Sequence, residues 1–226
     1  MLSVVIPTLN EVNKIDGIIE FFNEFKDLEV IFSDGQSTDG TFEKLEKKTN
    51  IKLIKSKAGR AHQMNRGGKI ANGKYILFAH ADCRFHEDGI NYLINLSNDE
   101  TNVLWGFFLA KLSNKKFIFR IIELFMNKRS QITNIATGDL GIFINKSLFN
   151  KINGFSNIKI MEDISISKKL RRISKPFIIK KHVHISTRKW ENHGILKTIF
   201  LMWYLRLLYF FRFNIREIYK KYYGKK

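Results

Sequence analysis

Apolar residues in this chain come in short continuous runs, each ended by a polar cluster, and the runs alternate with stretches whose apolar residues recur at helical spacing. The first run covers residues 2–6 and is stopped by Pro7; the next three cover 28–32, 51–54 and 75–79. Between them, residues 12–25 place Ile15, Ile18, Ile19, Phe22 and Phe25 at helical spacing, a short helix runs through Leu45, and 60–71 reads as helix. Continuous apolar strands separated by helices predict an α/β fold with a mostly parallel sheet flanked by helices. Later strands are expected at 103–109, 140–144 and 177–183, with helices near 116–125 and 164–172.

In open α/β sheets, ligands bind outside the carboxyl ends of the strands. Four ends here carry polar groups: Pro7-Thr8-Leu9-Asn10-Glu11, Ser33-Asp34-Gly35, Lys57-Ala58-Gly59-Arg60 and His80-Ala81-Asp82. Each alone has an ordinary explanation, with Asn10 or Thr38 as a helix cap, Asp34 as a turn former and Arg60 as surface charge. Four on one edge specify a site. The abrupt passage from Phe78-Ala79 to His80, Ala81 and Asp82 is its sharpest signal.

Composition adds a location and a polarity. The chain of 226 residues is 44% hydrophobic, enough for a sizeable core. Its single cysteine, Cys83, excludes an intramolecular disulfide and, with no basic stretch ahead of the apolar residues 1–9, leads to the expectation of a cytoplasmic protein. The formal charge of +18 is unevenly spread: residues 168–226 hold 17 Lys and Arg against 2 acids, which is +15. That asymmetry points to an anionic partner at one end. Bulky apolar residues interleave with the cations, which argues against nucleic acid as that partner. A nucleotidylyltransferase is disfavoured as well, because the loop after the first strand has no glycine.

The segments VVIPTLNE, SDGQSTDGT, GRAHQMNRGGKIANGKYILFAHAD and INGF…MEDI, in this order, resemble the inverting family-two glycosyltransferases of GT-A fold. AGRAHQMNRG with STRKWENHG and LMWYLRLLY is similar to a bacterial subgroup, the selenodomain-associated transferases. The resemblance implies a GT-A domain over 1–186, its nucleotide-binding half about 1–84 and its acceptor half about 85–186, followed by a basic aromatic helical segment over 187–226. It also implies a nucleotide-sugar donor. Pro7, Thr8 and Glu11 would line the nucleotide pocket, Asp34 would accept from a pyrimidine N–H, and Arg60 and Asn65 would lie near the pyrophosphate and sugar.

Ala81 and Asp82 match the end of the family's Asp-X-Asp motif, which holds Mn²⁺ or Mg²⁺ on the diphosphate. His80 replaces the first aspartate. Imidazole suits Mn²⁺ better than Mg²⁺, so His80 is either a ligand of Mn²⁺ or a direct contact to phosphate or sugar. Glu162 and Asp163 match the acidic pair carrying the catalytic base, with Asp163 as the base, and Gly138 and Asp139 fall where the family lines its sugar and acceptor pocket. Helix capping is the ordinary alternative for the acidic pair, and a catalytically inactive scaffold serving membrane or nucleic-acid binding is the alternative for the whole.

The C-terminal helix, expected from 194 to 223, mixes Trp203, Tyr204, Tyr209, Phe210 and Phe211 with Arg206, Arg212, Arg216, Lys220 and Lys221. Its apolar run is interrupted at Arg206 and falls short of the ~20 residues a span needs. It therefore reads as an interfacial helix on an anionic membrane, at the inner face of the cell membrane, or as a helix packed on the core or in a homodimer interface.

Overall fold

The run that opens the chain forms strand β1 (Leu2–Thr8), with β2 (Leu28–Asp34) on one side and β4 (Tyr75–Phe78) on the other, all three parallel. A computed structural model describes residues 1–223, with every side chain there except those of Lys189, Arg216 and Tyr223. β1 continues through Pro7, where the sequence predicts a stop. The reason is register. β4 pairs only with Leu2 to Val5, so the N–H that proline lacks has no strand partner on that side. β3 (Lys52–Lys55) completes the parallel set beside β2, and the helices α1 (Ile15–Asn23), α2 (Thr41–Glu46) and α3 (Arg60–Ile70) make the crossovers.

The second half is where the mostly parallel sheet takes in antiparallel strands. β5 (Cys83–Phe85), α4 (Glu87–Asn98), β6 (Trp105–Leu112), α5 (Phe117–Thr133), β7 (Ile142–Asn145), α6 (Lys146–Lys151), α7 (Glu162–Leu170) and β8 (Phe177–Ile185) follow in chain order. The eight strands form one sheet in the order β3-β2-β1-β4-β7-β6-β8-β5. β7 runs antiparallel to β4 and β6, and β5 antiparallel to β8. A buried apolar run has the same pattern in either direction, which is why its periodicity did not report this.

The reversal has a consequence for the site. Phe78, the last residue of β4, faces Ile142, the first of β7, so the 3₁₀ turn Gly138–Leu140 ahead of β7 is brought to the edge where β4 ends. Trp105, Tyr75, Phe107, Phe108 and Phe143 are fully buried around this junction. Phe108 and Phe143 meet edge to face, a contact that adds to their burial.

The chain ends in α8 (Arg188–His193), α9 (Ile195–Phe210) and α10 (Ile215–Tyr223). A second apolar cluster joins Leu205 of α9 and Ile218 of α10 to Ile160, Met161 and Ile164. The expected packing of the tail on protein is thus present along one side of it. Both helices are anchored to the segment that carries Glu162 and Asp163. Among the described residues, no helix is long and apolar enough to cross a membrane.

Candidate active site

The loops after β1 and β2 are sewn together by side-chain to backbone bonds. Asn10 donates its N–H to Ser37 Oγ (2.9 Å) and accepts from Thr38 N–H (2.8 Å), while Glu11 N–H reaches Thr41 Oγ1 (2.9 Å). Asp34 is the centre of this wall. Its carboxylate accepts from the N–H groups of Gln36 (2.9 Å) and Ser37 (3.0 Å), from Ser37 Oγ (2.5 Å) and from Thr8 Oγ1 (3.5 Å), and the residue is 1% exposed. A carboxylate has about four acceptor sites, so Asp34 here spends its capacity on the loop. The turn-forming reading of Asp34 describes this geometry better than direct base recognition. Pro7 is partly exposed beside it, and Glu11 pairs with Lys14 at 2.7 Å.

α3 supplies two amides with structural partners. Gln63, which the sequence reading passed over, is buried and donates from Nε2 to the carbonyls of Thr8 (2.7 Å) and Ser33 (2.9 Å), clamping the ends of β1 and β2. Its signal was there as a polar residue among Ala61, Met64, Gly67 and Gly68 on the buried face. Asn65, expected near pyrophosphate and sugar, is half-buried and imitates backbone: Nδ2 donates to Phe155 O (2.9 Å) and Oδ1 accepts from Phe155 N–H (2.8 Å). That pair fixes the loop leading to the acidic residues. Arg60, exposed at the start of α3, acts electrostatically on Glu162 and stabilises its ionised form.

Beyond β4 lie the residues that suit a cation. His80, Asp82 and Asp139 each bring a ligand atom within 4.8 Å of the others. His80 is buried, and its Nδ1 makes no hydrogen bond among the described residues although Asp139 Oδ1 is 3.4 Å away. A buried polar atom without a partner is costly, and a divalent cation would satisfy it. One imidazole and two carboxylates fit Mn²⁺ well and Mg²⁺ less so. Ala81 separates His80 from Asp82. Cys83 is adjacent, and burial, reinforced by Asp139 and Asp82, pushes its thiol up.

Gly138 connects this cluster to the acidic pair. A Cβ there would stand 2.5 Å from His80 Cε1, so only glycine lets the turn lie against the imidazole. On its other side, Gly138 N–H donates to Asp163 Oδ2 (2.9 Å), and Ile164 N–H donates to Asp163 Oδ1 (2.7 Å). Burial pushes the Asp163 carboxyl up, those two N–H groups pull it back, and Asp139 adds repulsion. Glu162 lies deeper, 5% exposed, and burial assisted by Asp163 raises it to about 7. Two further groups were not anticipated from sequence. Arg129 of α5 carries a part-buried cation in the field of Asp163, and Tyr222 of α10 lies in the field of Arg60, Asp139, Asp163 and Asp82. His182 and His184, both on β8, are not part of this cluster.

The raised Glu162 carboxyl has a measurable effect on stability. The folded state holds its proton up to about 7 and the unfolded chain only to 4.5, so wild type loses stability as pH rises between those values. The loss is about 3 kcal/mol at about 1.4 kcal/mol per unit. With chelator present, Glu162→Gln should melt several degrees above wild type near pH 8 and level with it near pH 4. Equal differences at both pH values would show that Glu162 carries no ionisation penalty.

Residues 3–155, over half of the chain, match the family model for glycosyl transferase family 2. The chain belongs to that family. A curated relative, the amylovoran biosynthesis glycosyltransferase AmsB of Erwinia amylovora, is 32% identical over 106 residues, or 42% of this chain and 35% of AmsB. This family-two chain thus spans about a third of that relative's length. Among solved structures it is similar to S. aureus TarS, with a TM-score of 0.63 and 18% identity over 82% of this chain and 60% of that one. It is also similar to the mannosyltransferase PcManGT of Pyrobaculum calidifontis in complex with GDP-Man and Mn²⁺ (0.60, 20% identity, 81% and 56% covered). A third is the glucosyl-3-phosphoglycerate synthase of Mycobacterium tuberculosis, in complex with Mn²⁺ and UDP (0.56, 15%, 82% and 70%). At these identities the likeness shows the fold, which is that of GT-A glycosyltransferases.

Proposed function

We propose that this family-two chain is an inverting glycosyltransferase that moves a sugar from a nucleotide-diphosphate donor to an acceptor hydroxyl. The observation that carries the proposal is the placement of Asp163 one glycine away from the His80, Asp82 and Asp139 cluster. A cation on the diphosphate and a base for the acceptor are then on adjacent sides of one turn.

Mn²⁺ or Mg²⁺ held by His80, Asp82 and Asp139 would neutralise the charge that develops on the diphosphate as it leaves. The protein's own groups do the rest. The wall of Pro7 and Glu11, braced from behind by Thr8, which is fully buried, and by Asp34 and Gln63, takes the nucleotide, and Arg60 offers a fork of donors to the phosphates. Asp163, partly exposed where Glu162 is buried, meets the acceptor and takes its proton as the hydroxyl oxygen bonds the anomeric carbon. The bond to the diphosphate oxygen breaks on the opposite face, its electron pair leaves with the diphosphate, and the anomeric configuration inverts. With His80, three side chains that could hold a cation stand in place of a strict Asp-X-Asp pair, which supports the active reading over the inactive scaffold.

A UDP-sugar is the donor we propose first, with GDP-mannose second; neighbours of the same fold were solved with UDP or with GDP-Man. The closeness to selenodomain-associated transferases rests on the sequence motifs. The test is a thermal-shift panel of nucleotide sugars and nucleoside diphosphates with and without Mn²⁺. A ligand at a hundred times its dissociation constant should add about 2.7 kcal/mol of stability. No shift from any of them, with Mn²⁺ present, contradicts the proposal.

A further inference from the structure

α9 is mostly apolar, interrupted by Lys197, Thr198 and Arg206, and only part of its apolar surface is covered. Thr198 and Leu205 are buried, and Leu201 and Leu208 pack on the cluster that holds α9 to the protein. At about 100° per residue, Leu196, Phe200, Trp203, Leu207 and Phe210 fall on the opposite side as one stripe. Each is more than half exposed, from 53% at Leu207 to 72% at Phe200. Soluble surfaces rarely leave such a row of large side chains in water, and a row on one helix marks a docking face.

The charge around the stripe selects the occupant. On the same helical projection Lys197 and Arg206 flank the stripe on either side, and exposed Arg212 follows at the end of the helix. The two carboxylates of the tail are already engaged: Glu191 accepts from Asn114 and Thr187, and Glu217 pairs with Lys220. A second copy docked on this face would bring like charges together, in a region that carries +15 per chain. An anionic bilayer surface complements both features, taking the stripe among its acyl chains and the long cationic side chains at its headgroups.

We infer that α9 seats this protein on an anionic membrane surface through the stripe from Leu196 to Phe210. Met161 and Ile164 pack against α9 and α10, so the acidic pair sits on the unit that meets the lipid, and the acceptor is presented at that surface. Binding is measured without any donor, so its failure and failure of the transferase reading are separable.

The experiment is co-sedimentation of the full chain with vesicles of phosphatidylcholine alone or with phosphatidylglycerol. Binding should require the anionic lipid and weaken as salt rises. Phe200→Ser with Trp203→Ser should lower the partition coefficient by roughly ten-fold or more, since each substitution removes a large buried-in-lipid side chain, while the melting temperature stays unchanged. Should the double variant fold poorly, wild-type tryptophan emission decides instead: brominated acyl chains should quench it through exposed Trp203. A full chain that stays in the supernatant at low salt, a folded double variant that binds as well as wild type, or absence of quenching would each overturn the inference. So would a dimer dispersed by the same substitutions in a protein that ignores vesicles, which assigns the stripe to a second copy.

Discussion

Replacing Asp163 by asparagine should cut sugar transfer by roughly 10²–10⁴-fold, the range a positioned general base supplies, while Mn²⁺-dependent donor binding stays within about two-fold of wild type. The base acts on the acceptor in the transition state, so the donor complex does not depend on its charge. Asparagine keeps an oxygen for the N–H of Gly138 or Ile164 and so preserves much of the turn. Glu162→Gln, at the buried neighbour, should cost far less rate. If donor affinity fell in step with rate in Asp163→Asn, the aspartate would be holding the Gly138 turn rather than taking a proton. A larger rate loss in Glu162→Gln would transfer the base to Glu162.

The second large effect is expected at the cation cluster. Asp82→Ala, Asp139→Ala and His80→Ala should each weaken donor binding in Mn²⁺ by roughly a hundred-fold or more, because loss of a direct ligand exceeds the ten- to hundred-fold cost of disturbing an outer-shell partner. In chelator, the same variants should bind donor as weakly as wild type does. His80→Asp restores a carboxylate at the family's first ligand position and should recover binding with a preference moved toward Mg²⁺. Titration calorimetry of nucleoside diphosphate with each metal reads all of these. Unchanged metal dependence in Asp139→Ala would remove that residue from the ligand set.

The parts of this account that were legible in sequence are those set by local pattern. Apolar runs and their polar stops located β1, β2, β3 and β4, and with them Thr8, Asp34, His80 and Asp82 on one edge. Direction was not legible, because an apolar run is the same read either way, and β7 proved antiparallel. That reversal is what carries Asp139 to His80, so its place in the cluster followed from topology and not from any motif. Asp34 and Asn65 were recognised as special, and the structure adds that each satisfies backbone groups that the tight loops leave without partners. Gln63 was missed for the same reason, since a single polar residue on a helix face reveals its importance only when the two carbonyls it joins are seen. Around α9 the sequence offered membrane, core or dimer; the structure shows one side packed on protein and the other bare.

The central claim is that Asp163 and the His80, Asp82 and Asp139 cluster carry out inverting transfer from a nucleotide sugar, and the anomeric outcome tests it most directly. Water can stand in for the acceptor, so proton NMR of slow donor hydrolysis with Mn²⁺ present records the configuration of the sugar as it is released, before mutarotation. From an α-linked donor, the account predicts β-sugar as the first product, dependent on metal and lost in Asp163→Asn. Release of α-sugar, or hydrolysis undiminished in that variant, would contradict it.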